Sequence, residues 1–135
     1  TLDQVEENLA SADRSGVGSL SEEELDLVER VRDAYRALAP VPCTGCRYCQ
    51  PCPHGVDIPR VFGLYNDAIA YGDLVRLGRT YRNAALVDPK SRADRCVACG
   101  ACEAACPQQI RIIEWLRKAN AALLSAGDRE SPPRG

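Results

Sequence analysis

Eight cysteines in two short runs are the residues of this chain whose types and spacing could do chemistry. They include every cysteine of the 135-residue sequence. The first cysteine run contains Cys43, Cys46, Cys49 and Cys52, and the second contains Cys96, Cys99, Cys102 and Cys106. Thiolates spaced two residues apart can converge on one inorganic centre, so both runs are candidate metal-ligand sets.

The second run has the spacing C-x2-C-x2-C-x3-C followed by a proline, which is typical of proteins that bind two [4Fe-4S] clusters. Three closely spaced thiolates can hold three iron corners of one cubane. Gly100 has no side chain and lets the backbone pass close to the inorganic sulfurs. The first run follows the same pattern, except that only two residues, one of them Pro51, separate Cys49 from Cys52.

The fourth cysteine of each run is expected to ligate the cluster of the other run. Three thiolates of a short loop leave the fourth corner of the cubane facing away, and Pro53 and Pro107 turn the chain out of each loop. The predicted ligand sets are Cys43, Cys46, Cys49 and Cys106 for cluster 1, and Cys96, Cys99, Cys102 and Cys52 for cluster 2. If only one run crosses, the shorter gap makes Cys52 the local ligand.

Two other uses of eight cysteines stay open from the sequence. Four disulfides would need an oxidising compartment, and disulfide frameworks usually scatter their cysteines to join distant loops. Two zinc ions could also take four thiolates each, although zinc sites usually pair C-x2-C hooks across a longer stretch. The repeated close spacing favours iron–sulfur clusters over both alternatives.

Four basic residues beside the runs have two interpretations each. Arg47, Arg92 and Arg95 are either ordinary surface charges or compensation for the negative charge of two clusters. His54, the only histidine, is either an exposed loop residue or a group that tunes a cluster.

Composition excludes several classes of function. The net charge is −2 and no stretch clusters Lys and Arg, which argues against a nucleic-acid partner. No apolar run approaches the length of a membrane span, and no leader pattern is visible, so a cytoplasmic location is expected. The chain starts at Thr1 and contains no Met, which predicts a fragment or a processed product of a longer protein.

The elements around the runs are predicted to be helices, giving an all-α fold. Ser21 and Glu24 form a capping-box pattern, and Pro40 stops the helix that follows them. Asp57 with Pro59 predicts a second helix start. Helices are expected over residues 1–10, 22–38, 58–71, 73–86 and 110–125, the fourth weakened by Gly78, with a turn at 87–94 and no strand.

The residues from Pro42 to Ile110 resemble the C-terminal iron–sulfur extension of bacterial ferredoxin-fused aldo/keto reductases. The stretches PCTGCRYCQPCPHGVDIP, YNDA and CVACGACEAACPQQI carry the likeness, including the short gap before Cys52. That extension is similar to the α-helical ferredoxin domains of succinate dehydrogenase and fumarate reductase. The resemblance implies an α-helical ferredoxin-like domain with two cysteine-rich cluster-binding loops.

The opening residues, TLDQVEENLASAD, are similar to the closing segment of an aldo/keto reductase barrel. The resemblance implies that Glu7 and Asn8 contact the adenine end of NADPH when the intact barrel is present. Gln4 stands where many members have an Arg, which leaves the nucleotide preference open. The catalytic Tyr, Lys, Asp and His of that family lie on a barrel that these residues do not contain, so the chain is assigned no hydride-transfer reaction.

These observations give an expected organisation and function. Residues 1–40 are a helical extension that ends an absent barrel, residues 41–126 are a two-cluster domain, and residues 127–135 are a disordered tail. The expected function is one-electron transfer through two [4Fe-4S] clusters to or from an aldo/keto reductase-type domain or an unidentified redox partner. The alternative is an iron–sulfur or zinc-stapled interaction domain that transfers no electrons.

Overall fold

The computed structural model describes residues 1–127, and α-helices joined by loops make up this part of the chain. That part contains six α-helices and no strand, which confirms the all-α prediction. The helices are α1 (Leu2–Arg14), α2 (Glu22–Leu38), α3 (Ile58–Ala70), α4 (Leu74–Arg82), α5 (Ala101–Ala104) and α6 (Ile112–Gly127). The tail predicted for residues 127–135 lies outside the described residues, except for Gly127, which ends α6.

The chain folds as two compact units, and the first extends from Thr1 to Tyr35. Helix α1 is one turn longer than predicted, because Ser11 to Arg14 tolerate a helix and the first glycine comes only at Gly16. None of the residues of α1 is buried, and its apolar stripe of Leu2, Val5 and Leu9 is 72%, 52% and 62% exposed.

The start of α2 shows the predicted capping box. The Ser21 backbone N–H donates to Glu24 Oε2 at 2.8 Å, and the Glu24 backbone N–H donates to Ser21 Oγ at 3.3 Å. The Ser21 N–H holds the pKa of the Glu24 carboxyl below its usual value. These reciprocal bonds satisfy two donors that a helix start otherwise leaves open.

The second unit begins at Arg36 and is built on α3, α4 and α6, which pack against one another. Each helix contributes an apolar face, and Phe62, Tyr81 and Leu116 are among the largest fully buried side chains. Helix α3 begins as predicted, with the Asp57 carboxylate accepting the Arg60 N–H at 3.4 Å. This core supports both cysteine runs, because six of the eight cysteines pack against it.

Gly78 on α4 lies directly against the backbone of α6. A Cβ at this position would lie 2.5 Å from the Leu123 carbonyl oxygen and 2.7 Å from the Gly127 nitrogen. The glycine that weakened the sequence prediction of α4 is therefore what lets the two backbones meet. Helix α4 ends at Arg82, four residues earlier than predicted for 73–86, at the Asn83 cap.

The segment between α4 and the second run is held to the core by Tyr81. Its hydroxyl donates to Asn120 Oδ1 and accepts the Ala93 backbone N–H, both at 2.8 Å. The predicted turn consists of two short 3-10 turns, Pro89–Ser91 and Ala93–Arg95. No helix within residues 1–127 combines the length and the hydropathy of a membrane span.

Candidate metal centre

The eight cysteines surround two cavities, and each cavity takes cysteines from both runs. They are named cavity A and cavity B. The cysteines of cavity A are Cys43, Cys46, Cys49 and Cys106. The cysteines of cavity B are Cys96, Cys99, Cys102 and Cys52. The fourth cysteine of each run thus faces the cavity of the other run, and these groupings coincide with the predicted ligand sets.

The remaining walls of the cavities are largely apolar and lie close together. Phe62 closes cavity A, Leu116 closes cavity B, and Ile58 lines both. The two cavities are therefore neighbours with one shared side chain in their walls. Apolar walls exclude water, which protects a bound cluster and strengthens electrostatic interactions within the cavity.

The two cysteine loops share one backbone conformation. The residue before the second cysteine of each run has a left-handed φ, 69° at Gly45 and 59° at Ala98. The residue after that cysteine does too, with 65° at Arg47 and 80° at Gly100. Residues other than glycine rarely adopt this region, so the matching outliers show that both loops are shaped in the same way.

The similarity continues past the fourth cysteine. Gly55 and Gln109 both have a left-handed φ, and their N–H groups donate to the carbonyls of Cys52 and Cys106. Each turn leads into a buried aliphatic residue and then into α3 or α6. Sequence reasoning matched the cysteines but missed this longer repeat, although CPHGVDI and CPQQIRI share the pattern Cys-Pro-x-x-(Val/Ile)-x-Ile.

Two amide side chains fasten the first run to the core. The Asn66 side chain on α3 accepts the Val41 N–H at 3.1 Å and donates to the Val41 carbonyl at 2.8 Å. Gln50 donates to the Val56 carbonyl at 3.0 Å and accepts the Cys52 N–H at 3.3 Å. These bonds fix both ends of the loop, and neither residue was singled out from the sequence.

A carboxylate fastens the second run. Glu103 Oε1 accepts the Ile113 backbone N–H at 2.8 Å, which ties the loop to the first turn of α6. Glu103 lies in α5, a four-residue helix that sequence reasoning did not predict. So short a segment carries too little hydrophobic periodicity to indicate a helix.

Burial makes two of the thiols resist ionisation. It raises the pKa of Cys102 to about 11, with a further contribution from Cys96 nearby. Burial also raises the pKa of Cys49, where Cys43 and Cys106 act in the same direction. Thiolates are the form that binds metal, so ligation must displace these protons.

The predicted flanking residues have different positions. Arg47 lines cavity A and forms an ion pair with Asp57 at 3.6 Å, and His54 is exposed at the rim of cavity B. Arg92 lines neither cavity, since its guanidinium lies 5.8 Å from the centroid of the Tyr81 ring and donates to the Arg82 carbonyl. Arg95 is exposed.

The nucleotide-contact residues suggested by the resemblance lie apart from the cysteines in sequence. Glu7 and Asn8 are exposed on α1, in the first unit. The Gln4 side chain accepts a hydrogen bond from the Thr1 nitrogen at 2.8 Å.

The donor set of each cavity fits an iron–sulfur cluster. All eight cysteines are free thiols. Within residues 1–127 no three His, Cys, Asp or Glu side chains are grouped closely enough to hold a single metal ion. Four thiols line each cavity, and four cysteine thiolates are the ligands that a cubane cluster takes.

Comparisons with known proteins give one match. Neither the curated proteins nor the solved structures contain a significant match to the chain. The family model described as a 4Fe-4S dicluster domain matches residues 42–111, more than half of the 135 residues. The matched segment contains both cysteine runs and the helices between them. The chain accordingly belongs to the 4Fe-4S dicluster domain family.

Proposed function

We propose that the chain binds one [4Fe-4S] cluster in each cavity and carries electrons one at a time to or from an aldo/keto reductase-type oxidoreductase. The observation that carries the proposal is the lining of each cavity by three cysteines of one run and one of the other. A bound [4Fe-4S] cluster supplies a one-electron couple. Family membership supports iron–sulfur electron transfer in general.

The proposed ligands are the four cysteines that line each cavity. Cys43, Cys46, Cys49 and Cys106 hold cluster 1 in cavity A, and Cys96, Cys99, Cys102 and Cys52 hold cluster 2 in cavity B. The crossing residues tie the first run to the second, so each cluster fastens both halves of residues 41–126. Ile58 contributes an apolar side chain to the walls of both cavities.

Stepwise reduction tests the electron-transfer function. The anaerobically prepared chain is titrated with a one-electron reductant while its visible absorption is recorded. We expect about two electrons per chain, one for each cluster, and full recovery of the absorption on reoxidation. Iron-loaded protein that accepts no electrons reversibly would show that the clusters are purely structural, and an intact zinc protein without visible absorption would show a zinc-stapled domain.

For the partner, we propose an aldo/keto reductase barrel that precedes residues 1–40 and covers the apolar stripe of α1. Support comes from the exposure of Leu2, Val5 and Leu9 on one helix face, together with the resemblance of residues 1–13 to the end of such a barrel.

A soluble aldo/keto reductase barrel supplied in trans tests the pairing. Val5→Lys should weaken binding at least tenfold in sedimentation experiments, whereas Glu6→Lys on the neighbouring position should change it little. Equal binding by both variants would contradict the pairing.

NADPH enters the proposal only through the intact parent enzyme. Glu7 and Asn8 would contact its adenine end, and a reducing, cytoplasmic location suits both the nucleotide and eight free thiols. The chain alone should not bind NADPH in a fluorescence titration. In the barrel complex, Asn8→Ala should weaken NADPH binding, and unchanged affinity would remove Asn8 from the site.

A further inference from the structure

The matched loops carry different charges at the same positions. Arg47 follows the second cysteine of the first run, where the second run has Gly100, and both have a left-handed φ. Gln50 follows the third cysteine of the first run, where the second run has Glu103. The loop at cavity A thus has a cation and a neutral amide where the loop at cavity B has no side chain and a carboxylate.

We propose that the two clusters have unequal reduction potentials, with the higher potential at cavity A, because Arg47 favours added negative charge there and Glu103 disfavours it at cavity B. The inference rests on the proposed two-cluster function. Reduction adds one electron to a cluster that is already negative, so a nearby cation raises its potential and a nearby anion lowers it.

The contacts of Arg47 support this assignment. Arg47 lines cavity A, and its side chain, which is 60% exposed, forms an ion pair with Asp57 at 3.6 Å. Asp57 offsets part of the positive charge, yet its carboxylate also accepts the Arg60 N–H at the start of α3.

The contacts of Glu103 support the other half. Glu103 is half-buried, directly follows Cys102, and is held by the N–H of Ile113, a residue that lines cavity B. The opposing charge of Arg111 counts less, because Arg111 lines neither cavity and its side chain is 82% exposed.

The consequence is that one electron added to the two-cluster protein resides mainly at cavity A. A unit charge about 10 Å from a cluster, in a medium of effective dielectric constant about 20, changes the ratio of the two singly reduced forms by on the order of tenfold. In one form the added electron is at cavity A, and in the other it is at cavity B. Replacing either charged residue should therefore produce a measurable shift of one couple.

A redox titration of the cluster-loaded chain, followed by electron-spin resonance, tests the inference. Arg47→Gln should lower the potential of the higher couple and leave that of the other nearly unchanged. Glu103→Gln should raise the potential of the lower couple, and its amide oxygen can still accept the Ile113 N–H. Arg47→Gly should act like Arg47→Gln without backbone strain, and Arg47→Lys should retain the parent potential. Arg117→Gln and Asp67→Asn, at positions lining neither cavity, are the matched charge controls and should move neither couple.

Iron analysis of the same samples separates the possible failures. About eight iron atoms per chain with two coincident couples would overturn the inference alone. The same content with Arg47→Gln and Arg47→Gly moving only the lower couple, or neither, would also overturn it. About four iron atoms or fewer would overturn the two-cluster function and the inference with it.

Discussion

Cysteine position within each run decides which cavity its thiol faces. The first three cysteines share a tight loop with two left-handed residues, and the fourth follows a turn and precedes a proline. Cys52 and Cys106 are therefore displaced from their own loops towards the opposite cavity. The two-residue gap before Cys52 does not prevent this, because Cys52 still lines cavity B.

Crossed ligation makes a prediction about Cys106→Ser. The variant should damage the cluster of cavity A, because its thiol lines that cavity with Cys43, Cys46 and Cys49. We expect the loss or alteration of about one cluster, or about four iron atoms per chain. Its electron-spin spectrum should resemble that of Cys46→Ser. Resemblance to Cys99→Ser instead, a cavity B variant, would contradict the crossed sets.

Tyr81 makes a second prediction at this scale. Tyr81→Phe leaves the buried Ala93 N–H and the Asn120 side chain without the hydroxyl that joins them. The free energy of unfolding should fall by about 1–3 kcal/mol, measured by denaturant titration of the cluster-loaded chain. Tyr71→Phe, at a side chain that is 75% exposed, is the control and should change it by less than about 0.5 kcal/mol. Equal effects would show that the hydroxyl network contributes nothing specific.

Helices were the most predictable elements, because capping residues close in sequence determine where each helix begins. The capping box of Ser21 and Glu24 predicted the start of α2 to within a residue, and the Asp57 N-cap did the same for α3. Packing, by contrast, depends on residues distant in sequence. Three features have no local signal in the sequence and were not predicted. They are the contact of α4 with α6 at Gly78, the hydrogen bonds of the Asn66 side chain to Val41, and the short helix α5.

Gly78→Ala tests the contact between α4 and α6. The added methyl group would meet the α6 backbone at 2.5 Å, so the helices must separate and the protein should lose about 1–3 kcal/mol of stability. Gly63→Ala is the matched control, since it lies within α3 with no atom within 4 Å of the added group. That variant should be neutral or more stable by up to about 1 kcal/mol in the same thermal melts. A stable Gly78→Ala variant would mean that the helices do not meet there.

The whole molecule couples its fold to its cofactors. Both cysteine runs line cavities between α3 and α6, and the proposed clusters would link segments that are far apart in sequence. The sequence predicted the two runs, the intervening helices and the grouping of the cysteines. It did not predict the charge asymmetry between the loops, because that became visible only when the two backbones were seen to match.

Removal of the clusters should unfold the second unit more than the first. Ligands that bind only the native state contribute their binding free energy to folding, so chelation or oxidation of the iron should reduce the helical circular dichroism of α3, α4 and α6. Helix α2 has its own capping box and should retain more of its signal. Unchanged helicity with a cooperative melt in the iron-free chain would contradict this coupling.

The content of iron and acid-labile sulfide after strictly anaerobic preparation tests the central claim most directly. Two cubane clusters, one in each cavity, predict about eight iron and about eight sulfide per chain. A reproducible value near four of each would leave one cavity without its cluster. A value near zero together with stoichiometric zinc would contradict the assignment of the eight cysteines to two [4Fe-4S] clusters.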